Sequence, residues 1–169
     1  MKFIKNSIWA FIPARSGSKT IKNKNLLKLN GVPLIAYSIQ SGLKNKFIDK
    51  VYFSSDSKKY LKIAQKYYPF SKSLRPKKLA ADDTTTDIVV DFFFDKFPSC
   101  NSILWVNSVS PLQSIQDIKN CGVRLNKPDV DCVMAINTLY QHCCINNDPL
   151  NFDPNNSFEK TQDLRPIQR

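Results

Sequence analysis

Residues 8–25 read IWAFIPARSGSKTIKNKN. The first five are apolar and Pro13 ends the run, a pattern typical of a buried strand. The stretch after it contains small residues, Gly17 and cationic side chains at positions 15, 19, 22 and 24. Small residues let backbone N–H groups approach an anion, and Arg and Lys neutralise its charge. The stretch favours a strand followed by a phosphate-binding loop. An exposed basic turn is the alternative, since neither GxxxxGK[ST] nor GxGxxG is present.

Strand-like and helix-like runs alternate along the rest of the chain. Apolar runs predict strands at 50–54, 102–106 and 132–136. Helical periodicity predicts helices at 33–44, 57–68, 84–97 and 115–125. A polar loop is expected at 71–83, and residues beyond 138 show no clear period. This order predicts a three-layer α/β/α fold with a mostly parallel sheet. The loops after its strands, at 13–25, 54–57 and 107–114, should then gather at the edge where ligands bind.

Composition excludes several classes of protein. The 169 residues are 42% hydrophobic and 23% charged, which is enough for one core without a disulfide or a metal. No run approaches the roughly 18 apolar residues of a membrane-spanning helix. The first residues lead directly into the motif at Pro13, so we expect no signal peptide and a cytoplasmic location.

The cysteines and the net charge suggest sites that we do not favour. The five cysteines, an odd number without a CxxC pair, predict no disulfides in a reducing cytosol. His142 stands next to Cys143 and Cys144, but adjacent side chains rarely converge on one ion, so no metal site is assigned. The net charge of +11 would suit a nucleic acid, an anionic membrane or a phosphate-rich substrate. The scattered lysines and few arginines argue against a nucleic-acid surface.

The segment at 13–25 resembles the signature of the acylneuraminate cytidylyltransferases, Pro-Ala-Arg-x-Gly-Ser-Lys followed after four residues by Lys-Asn. Arg15, Gly17, Ser18 and Lys19 match its first half, and Lys24 and Asn25 match its second half. Further segments resemble this family in the same order, at 29–38, 50–56, 74–84, 109–112 and 162–169.

The resemblance implies a fold of the nucleotide-diphosphosugar-transferase type and a CTP-dependent reaction. The family transfers CMP to the anomeric hydroxyl of a nonulosonic sugar acid such as sialic acid, releases pyrophosphate and uses Mg²⁺. It also implies a homodimer. From the composition and the position of the motifs, we expect neither a nucleic acid nor a membrane as a partner. Residues 1–138 would form the nucleotide-binding core, and 139–169 would begin the acceptor and dimerisation segment.

The resemblance also implies a role for individual residues. Arg15, Ser18 and Lys19 would hold the phosphates of CTP. Lys24 and Asn25 would reach the nucleotide and the transferring phosphate, with Lys24 and Arg15 as the catalytic pair. Arg75 and Asp82 would face cytidine, whereas Asn107 and Arg169 would contact the sugar acid. Asp56, in contrast, is interpreted as a possible cap of the helix that follows it.

The sequence departs from the family pattern at several positions. Ser16 and Thr20 replace glycines, which would strain the loop if those positions require a positive φ. Asn107 replaces a longer glutamine, and Gln113 replaces an arginine. The sequence ends at Arg169, before the two aspartates that bind the metal in the family.

That last departure leaves three explanations open: a fragment, an inactive copy, or a second polypeptide that supplies the rest. A catalytically inactive nucleotide-binding relative, a basic nucleic-acid-binding protein, and an enzyme for another sugar acid remain the rival hypotheses.

Overall fold

The structure, a computed structural model, describes residues 7–155 and 160–168 of the chain. Arg169, which the sequence assigns to the acceptor site, lies outside the described residues. The chain divides into two compact units between residues 132 and 133, and each unit is described by itself.

The first unit contains a larger sheet, a small hairpin and four α-helices. In chain order its elements are β1 (Ile8–Pro13), β2 (Lys28–Leu29), β3 (Val32–Pro33), α1 (Leu34–Leu43), β4 (Lys50–Ser55), α2 (Lys58–Ala64), β5 (Ser71–Leu74), α3 (Thr86–Lys96), β6 (Ser102–Trp105) and α4 (Ile115–Leu125). Short 3₁₀ turns occupy Lys24–Leu26 and Lys77–Ala80.

The larger sheet is parallel and has the order β5-β4-β1-β6. In chain order, β4 pairs with one side of β1 and β5 pairs with the far side of β4. Strand β6 then pairs with the other side of β1. The order of the strands therefore reverses between β1 and β6. In open α/β sheets, ligands bind beyond the carboxyl ends of the strands at such a reversal. The topology alone therefore predicts a ligand site at the loops that follow β1 and β6.

Alternate residues of β1 enter two different hydrophobic cores. Ala10 and Ile12 belong to one core with Ile35 and Ile39 of α1, and with three residues of α2, which are Tyr60, Leu61 and Ala64. Trp9 and Phe11 belong to the other core, with Val89 and Phe93 of α3. Because a strand points successive side chains to opposite faces, the sheet lies between two helical layers. The predicted three-layer α/β/α arrangement is confirmed.

The sequence interpretation missed β5 and placed a loop there. The strand reads SKSL and pairs in parallel with β4, with Ser73 opposite Ser54. It lies at the edge of the sheet, where polar and charged side chains are common because one side of the strand is unpaired. An edge strand of this kind has no apolar pattern that sequence analysis could detect.

The helix predicted at 57–68 is shorter in the structure, because α2 ends at Ala64. Lys66 and Tyr67 donate backbone hydrogen bonds to residues three positions earlier, Ile63 and Ala64. Pro69 follows, and a proline disfavours the α conformation of the residue before it. The amphipathic pattern therefore continues for one turn beyond the helix itself.

The predicted strand at 132–136 is wrong. Residues 132–137 have no regular secondary structure, and Met134 is 78% exposed. An apolar run forms a strand only when it pairs with another strand, and this segment pairs with none among the described residues. Pattern and propensity identify a suitable segment but do not supply its partner.

The second unit is built from short antiparallel pairs. Strand β7 (Thr138–Leu139) pairs with β10 (Ile167–Gln168), and β8 (Cys144–Ile145) pairs with β9 (Asp148–Pro149). The turn between β8 and β9 has positive φ angles at both Asn146 and Asn147, a conformation that Asn tolerates better than most residues.

Candidate nucleotide-binding site

Three loops meet at the carboxyl edge of the larger sheet, as the sequence predicts. Backbone bonds continue beyond the strands there: Ala14 N–H donates to the Ser54 carbonyl at 2.9 Å, and Arg75 N–H donates to the Ser55 carbonyl at 2.8 Å. Side chains then join the loops to one another. The loop after β1, residues 14–25, contacts both the turn after β4 and the turn after β6.

Asn25 joins the two ends of the loop after β1 and connects it to the turn after β6. Its side-chain amide donates to the Arg15 carbonyl at 3.0 Å, and its amide oxygen accepts from the Ser108 hydroxyl at 2.9 Å. Asn25 is only 5% exposed, so these bonds are protected from water. The residue predicted to reach the nucleotide therefore also acts as an internal brace of the loop.

The loop adopts its curve without the strain expected at its non-glycine positions. Asn23 has a φ of 54° and precedes the 3₁₀ turn at Lys24–Leu26. Neither Ser16 nor Thr20 is among the described residues with positive φ. Because Asn visits the left-handed region more readily than other non-glycine residues, the bend lies where the sequence accommodates it.

Asp56 contacts the loop instead of capping the helix after it. The cap of α2 is Ser57, whose hydroxyl accepts from the Tyr60 N–H at 3.3 Å. The Asp56 carboxylate accepts from the N–H and from the hydroxyl of Ser16. The interpretation of Asp56 as a helix cap is therefore wrong.

Asp82 forms ion pairs with two cations of the loop. One carboxylate oxygen lies 2.9 Å from Arg15 Nη1, and the other lies 2.6 Å from Lys19 Nζ. The hydrogen bond from Lys19, followed by that from Arg15, lowers the pKa of Asp82 below its ordinary value. The structure thus places Asp82 against the predicted phosphate-binding side chains.

Arg75 directly follows β5 and is buried, with only 4% of its surface exposed. Its Nε has no hydrogen-bond partner among the described residues. Burial lowers the pKa of Arg75, the charge of Asp56 opposes that shift, and the charge of Arg15 adds to it. Arg75 does not line the pocket described next, so its predicted contact with cytidine stays a prediction.

An open cavity of about 200 Å³ lies where the loops after β1 and β6 meet. Its lining is polar and cationic, and comprises Pro13, Arg15, Ser18, Lys19, Thr20, Lys24, Asn25, Asn107, Ser108 and Val109. Six of the predicted site residues thus come together: Arg15, Ser18, Lys19, Lys24, Asn25 and Asn107. Three of them carry positive charge and none of the lining residues is acidic, so the cavity suits an anion such as a phosphate chain.

The described residues do not supply a metal site of the usual kind. No group of three or more His, Cys, Asp or Glu side chains comes together within the part of the chain that the structure describes. Mg²⁺ prefers oxygen ligands such as carboxylates, and Asp82 is already paired with two cations. The described side chains therefore include no preformed group of ligands for the Mg²⁺ that the family resemblance implies. In the same ranges, no helix is both long and apolar enough to cross a membrane.

Residues 9–162 match the sequence profile of a family described as Cytidylyltransferase. The chain belongs to this family. The family resemblance that the loop at 13–25 indicates is therefore confirmed.

Several curated relatives of this chain act on sialic-type sugar acids, according to their names. A Helicobacter pylori protein named as a pseudaminic acid cytidylyltransferase and UDP-2,4-diacetamido-2,4,6-trideoxy-beta-L-altropyranose hydrolase is 34% identical over 88% of this chain and 27% of its own length. The N-acylneuraminate cytidylyltransferase of Escherichia coli is 30% identical over 84% of this chain and 31% of its own length. The CMP-N,N'-diacetyllegionaminic acid synthase of Legionella pneumophila is 32% identical over 78% and 58%. The chain thus spans less than two thirds of each relative.

A solved structure shows the same fold. It is that of CMP:2-keto-3-deoxy-manno-octonic acid synthetase complexed with CTP, which matches with a TM-score of 0.62 and 19% identity over 70% of this chain and 47% of that chain. The parallel sheet with its helices is therefore of the nucleotidyltransferase type, as the sequence predicts.

Sequence analysis missed Asp56 and Ser108 as parts of the site. Each lies two residues beyond the end of a predicted strand, and residues at that position of an α/β sheet gather at the ligand edge. The signal was present in the topology, but which side chains would meet depends on distances between loops that no sequence pattern encodes.

Proposed function

We propose that this cytidylyltransferase transfers CMP from CTP to the anomeric hydroxyl of a nonulosonic sugar acid and releases pyrophosphate. The observation that carries the proposal is the cavity at the reversal between β1 and β6, because Arg15, Lys19 and Lys24 all line it. A triphosphate is the part of the two substrates with the highest negative charge, and this cavity has the charge that complements it.

The proposed reaction requires positioning and charge neutralisation more than covalent catalysis. The anomeric oxygen would form a bond to the α-phosphorus of CTP and lose its proton to water, while the bond from that phosphorus to the oxygen that bridges to the β-phosphate breaks. Negative charge then accumulates on the leaving pyrophosphate. Arg15, Lys19 and Lys24 would bind the phosphates, and Arg15 and Lys24 would stabilise the charge on the transferring group. Ser18 and Asn25 would add hydrogen bonds.

Asp82 would release the loop cations when the nucleotide arrives. In the structure its carboxylate is paired with Arg15 and Lys19, so a triphosphate must compete with it for these side chains. Asp82 is half-exposed, and exposed ion pairs are weak enough to be displaced by a multiply charged ligand. Arg75 and Asp82 could then face the cytidine, as the family resemblance implies.

The acceptor in this proposal is a sialic-type sugar acid. The named relatives use pseudaminic, N-acylneuraminic and N,N'-diacetyllegionaminic acids. Asn107 lines the cavity and would contact this acceptor, together with Arg169. In the structure the Asn107 side chain accepts from the Val109 N–H at 3.2 Å, so it would have to turn toward the sugar.

The remaining parts of the proposal concern the protein as a whole. We expect a cytoplasmic homodimer in which residues 139–169 contribute to the acceptor site and to dimerisation, without a nucleic acid or a membrane as partner. A monomeric mass by light scattering would contradict the dimer. Mg²⁺ is expected to support the reaction, but no ligand for it is assigned among the described residues and no step is assigned to it.

The experiment that tests the function is release of pyrophosphate from CTP and Mg²⁺ with a panel of sugar acids of the pseudaminic, neuraminic, legionaminic and 3-deoxy-manno-octonic types. Thermal shifts with CTP, ATP and GTP are recorded on the same sample. Release that depends on one sugar acid would establish the transfer and identify the acceptor. A CTP-specific shift without release would favour an inactive nucleotide-binding relative. A folded chain that gives neither signal would overturn the proposal.

A further inference from the structure

Asp56 directs both of its carboxylate oxygens at one residue of the loop after β1. Its Oδ1 accepts from the Ser16 N–H at 2.8 Å, and its Oδ2 accepts from the Ser16 hydroxyl at 2.5 Å. The two residues are 40 positions apart in the chain. A carboxylate is a stronger acceptor than a neutral group, so this contact is a specific anchor between the end of β4 and the loop.

Ser16, the residue that Asp56 binds, lies where the loop has few other restraints. Ser16 directly follows Arg15 and precedes Gly17, whose missing side chain would meet no atom within 4 Å. Glycine has more backbone freedom than any other residue, and open space around it adds no packing restraint. Fixing the Ser16 N–H fixes the peptide plane that leads out of Arg15, and it does so immediately before the segment that carries Ser18 and Lys19.

The charge of Asp56 also acts on side chains of the neighbouring elements. It favours the charged form of the buried Arg75 guanidinium, whereas Arg15 disfavours it. It also raises the pKa of Tyr60 on α2, after the larger effect of burial. Asp56 is thus a negative charge among Arg15, Arg75 and Tyr60, and it offsets the repulsion between two cations that the fold brings to one edge.

We propose that Asp56 is a positioning residue that holds the loop at 14–25 in the conformation that binds phosphate. The inference rests on the proposed function for its biological purpose, but the contact itself does not depend on CTP. A loop that is already ordered before the ligand arrives does not lose conformational freedom on binding, so a restraint of this kind raises affinity.

The test compares three variants. Asp56→Ala removes both bonds and the charge beside Arg75. Ser16→Ala is milder, because it removes the hydroxyl bond and leaves the N–H bond and the charge in place. Asp49→Ala is the matched control: the Asp49 carboxylate accepts from the Ile8 N–H at 2.8 Å, a contact of the same kind at the opposite end of the same two strands.

Two measurements are made on each full-length variant. The first is the rate of tryptic cleavage after Arg15, Lys19, Lys22 and Lys24 in the ligand-free chain. The second is the affinity for inorganic tripolyphosphate and for CTP by calorimetry. Unfolding midpoints are recorded in parallel. We expect Asp56→Ala to raise the cleavage rate and lower the tripolyphosphate affinity by about 10-fold each, and Ser16→Ala by about 3-fold. Asp49→Ala should leave both at the wild-type level.

The outcomes separate this inference from the proposed function. If Ser16→Ala and Asp56→Ala match Asp49→Ala in both measurements, the positioning role is overturned. If Ser16→Ala weakens tripolyphosphate binding while its unfolding midpoint equals that of Asp49→Ala, a merely structural role is excluded. A wild-type chain that binds tripolyphosphate but not CTP overturns the nucleotide function alone, because the variants are still compared with tripolyphosphate. A wild-type chain that binds neither overturns both.

Discussion

Different interactions stabilise the interior of each of the two units of the chain. In the first unit, aromatic and aliphatic side chains fill both faces of the sheet. In the second unit, Leu164 is the one buried side chain among the described residues, and Asn151 organises the backbone. Its amide group donates to the carbonyls of Gln141 and Arg165, and its oxygen accepts from the Cys143 N–H. A dense apolar core resists unfolding, whereas a network of exposed polar bonds opens easily.

The most severe test of this contrast is Phe93→Ala in the first core. Phe93 is 1% exposed, and its ring contacts five other rings: Trp9, Phe11, Tyr52, Phe94 and Phe97. Removing it leaves a cavity, so we expect the free energy of unfolding to fall by about 3–5 kcal/mol. Denaturant unfolding followed by tryptophan fluorescence measures the change.

The matched control for Phe93 is Phe152→Ala in the second unit. The Phe152 ring is half-buried and packs edge-on against His142, so we expect a loss under about 1 kcal/mol. Equal losses in the two variants would contradict the division into a core-held and a polar-held unit.

A smaller effect, confined to ligand binding, is expected for Lys19→Ala. The Lys19 side chain is 77% exposed, so its removal should leave the fold intact. The loss of one charge-assisted bond to a phosphate should weaken CTP binding by about 10- to 100-fold. Calorimetry with CTP measures the affinity, and Lys119→Ala on α4 serves as the control for removing one exposed positive charge. Unchanged CTP affinity in Lys19→Ala would remove the central assignment of the site.

In the second unit, Asn151→Ala should loosen the backbone locally. The substitution removes three hydrogen bonds, and we expect the free energy of local opening around residues 141–151 to fall by about 1–2 kcal/mol. Hydrogen exchange of the Cys143 amide reports this opening directly. The unfolding midpoint of the sheet should stay constant. A large drop of that midpoint would mean that Asn151 stabilises more than its own unit.

The smallest effect, and one of opposite sign, is expected for Asp82→Asn. The substitution removes the carboxylate that competes with the triphosphate for Arg15 and Lys19, so CTP affinity should rise by about 2- to 5-fold. Because the folded-state pKa of Asp82 is lowered, its contribution to stability is present above the ordinary pKa and is lost as the pH falls through the lowered one. Weaker CTP binding in Asp82→Asn, measured at pH 7, would show that the proposed contact of the carboxylate with cytidine outweighs this competition.

The same contrast explains what could be predicted from the sequence. The runs that form β1, β4 and β6 are recognisable because buried strands are apolar. Phe93 belongs to α3, whose start and end the sequence predicts within about two residues, the usual uncertainty of helix ends. The pattern does not reveal the polar edge strand β5, and the strand that it predicts at 132–136 does not form. Hydrophobic pattern thus predicts elements well only where burial decides their conformation.

Six of the nine predicted site residues meet at one cavity, whereas their contacts could not be predicted from the sequence. The cationic loop after β1 predicts Arg15, Lys19 and Lys24, and the family resemblance adds Ser18, Asn25 and Asn107. The structure brings these six residues together. The pairing of Asp82 with Lys19, the bonds of Asp56 to Ser16 and the burial of Arg75 depend on how loops 40 to 67 residues apart approach one another. Such distances follow from tertiary packing, which local sequence patterns do not reveal.

The central position of β1 also has a consequence for synthesis of the chain. This strand leaves the ribosome first, but its partners follow much later: β4 begins at Lys50 and β6 at Ser102. At about 5–20 residues per second, β1 waits roughly 5–20 s for its second neighbour. During that time its apolar side chains and one backbone edge stay exposed. The nascent chain is thus most prone to aggregation before residue 105 has emerged.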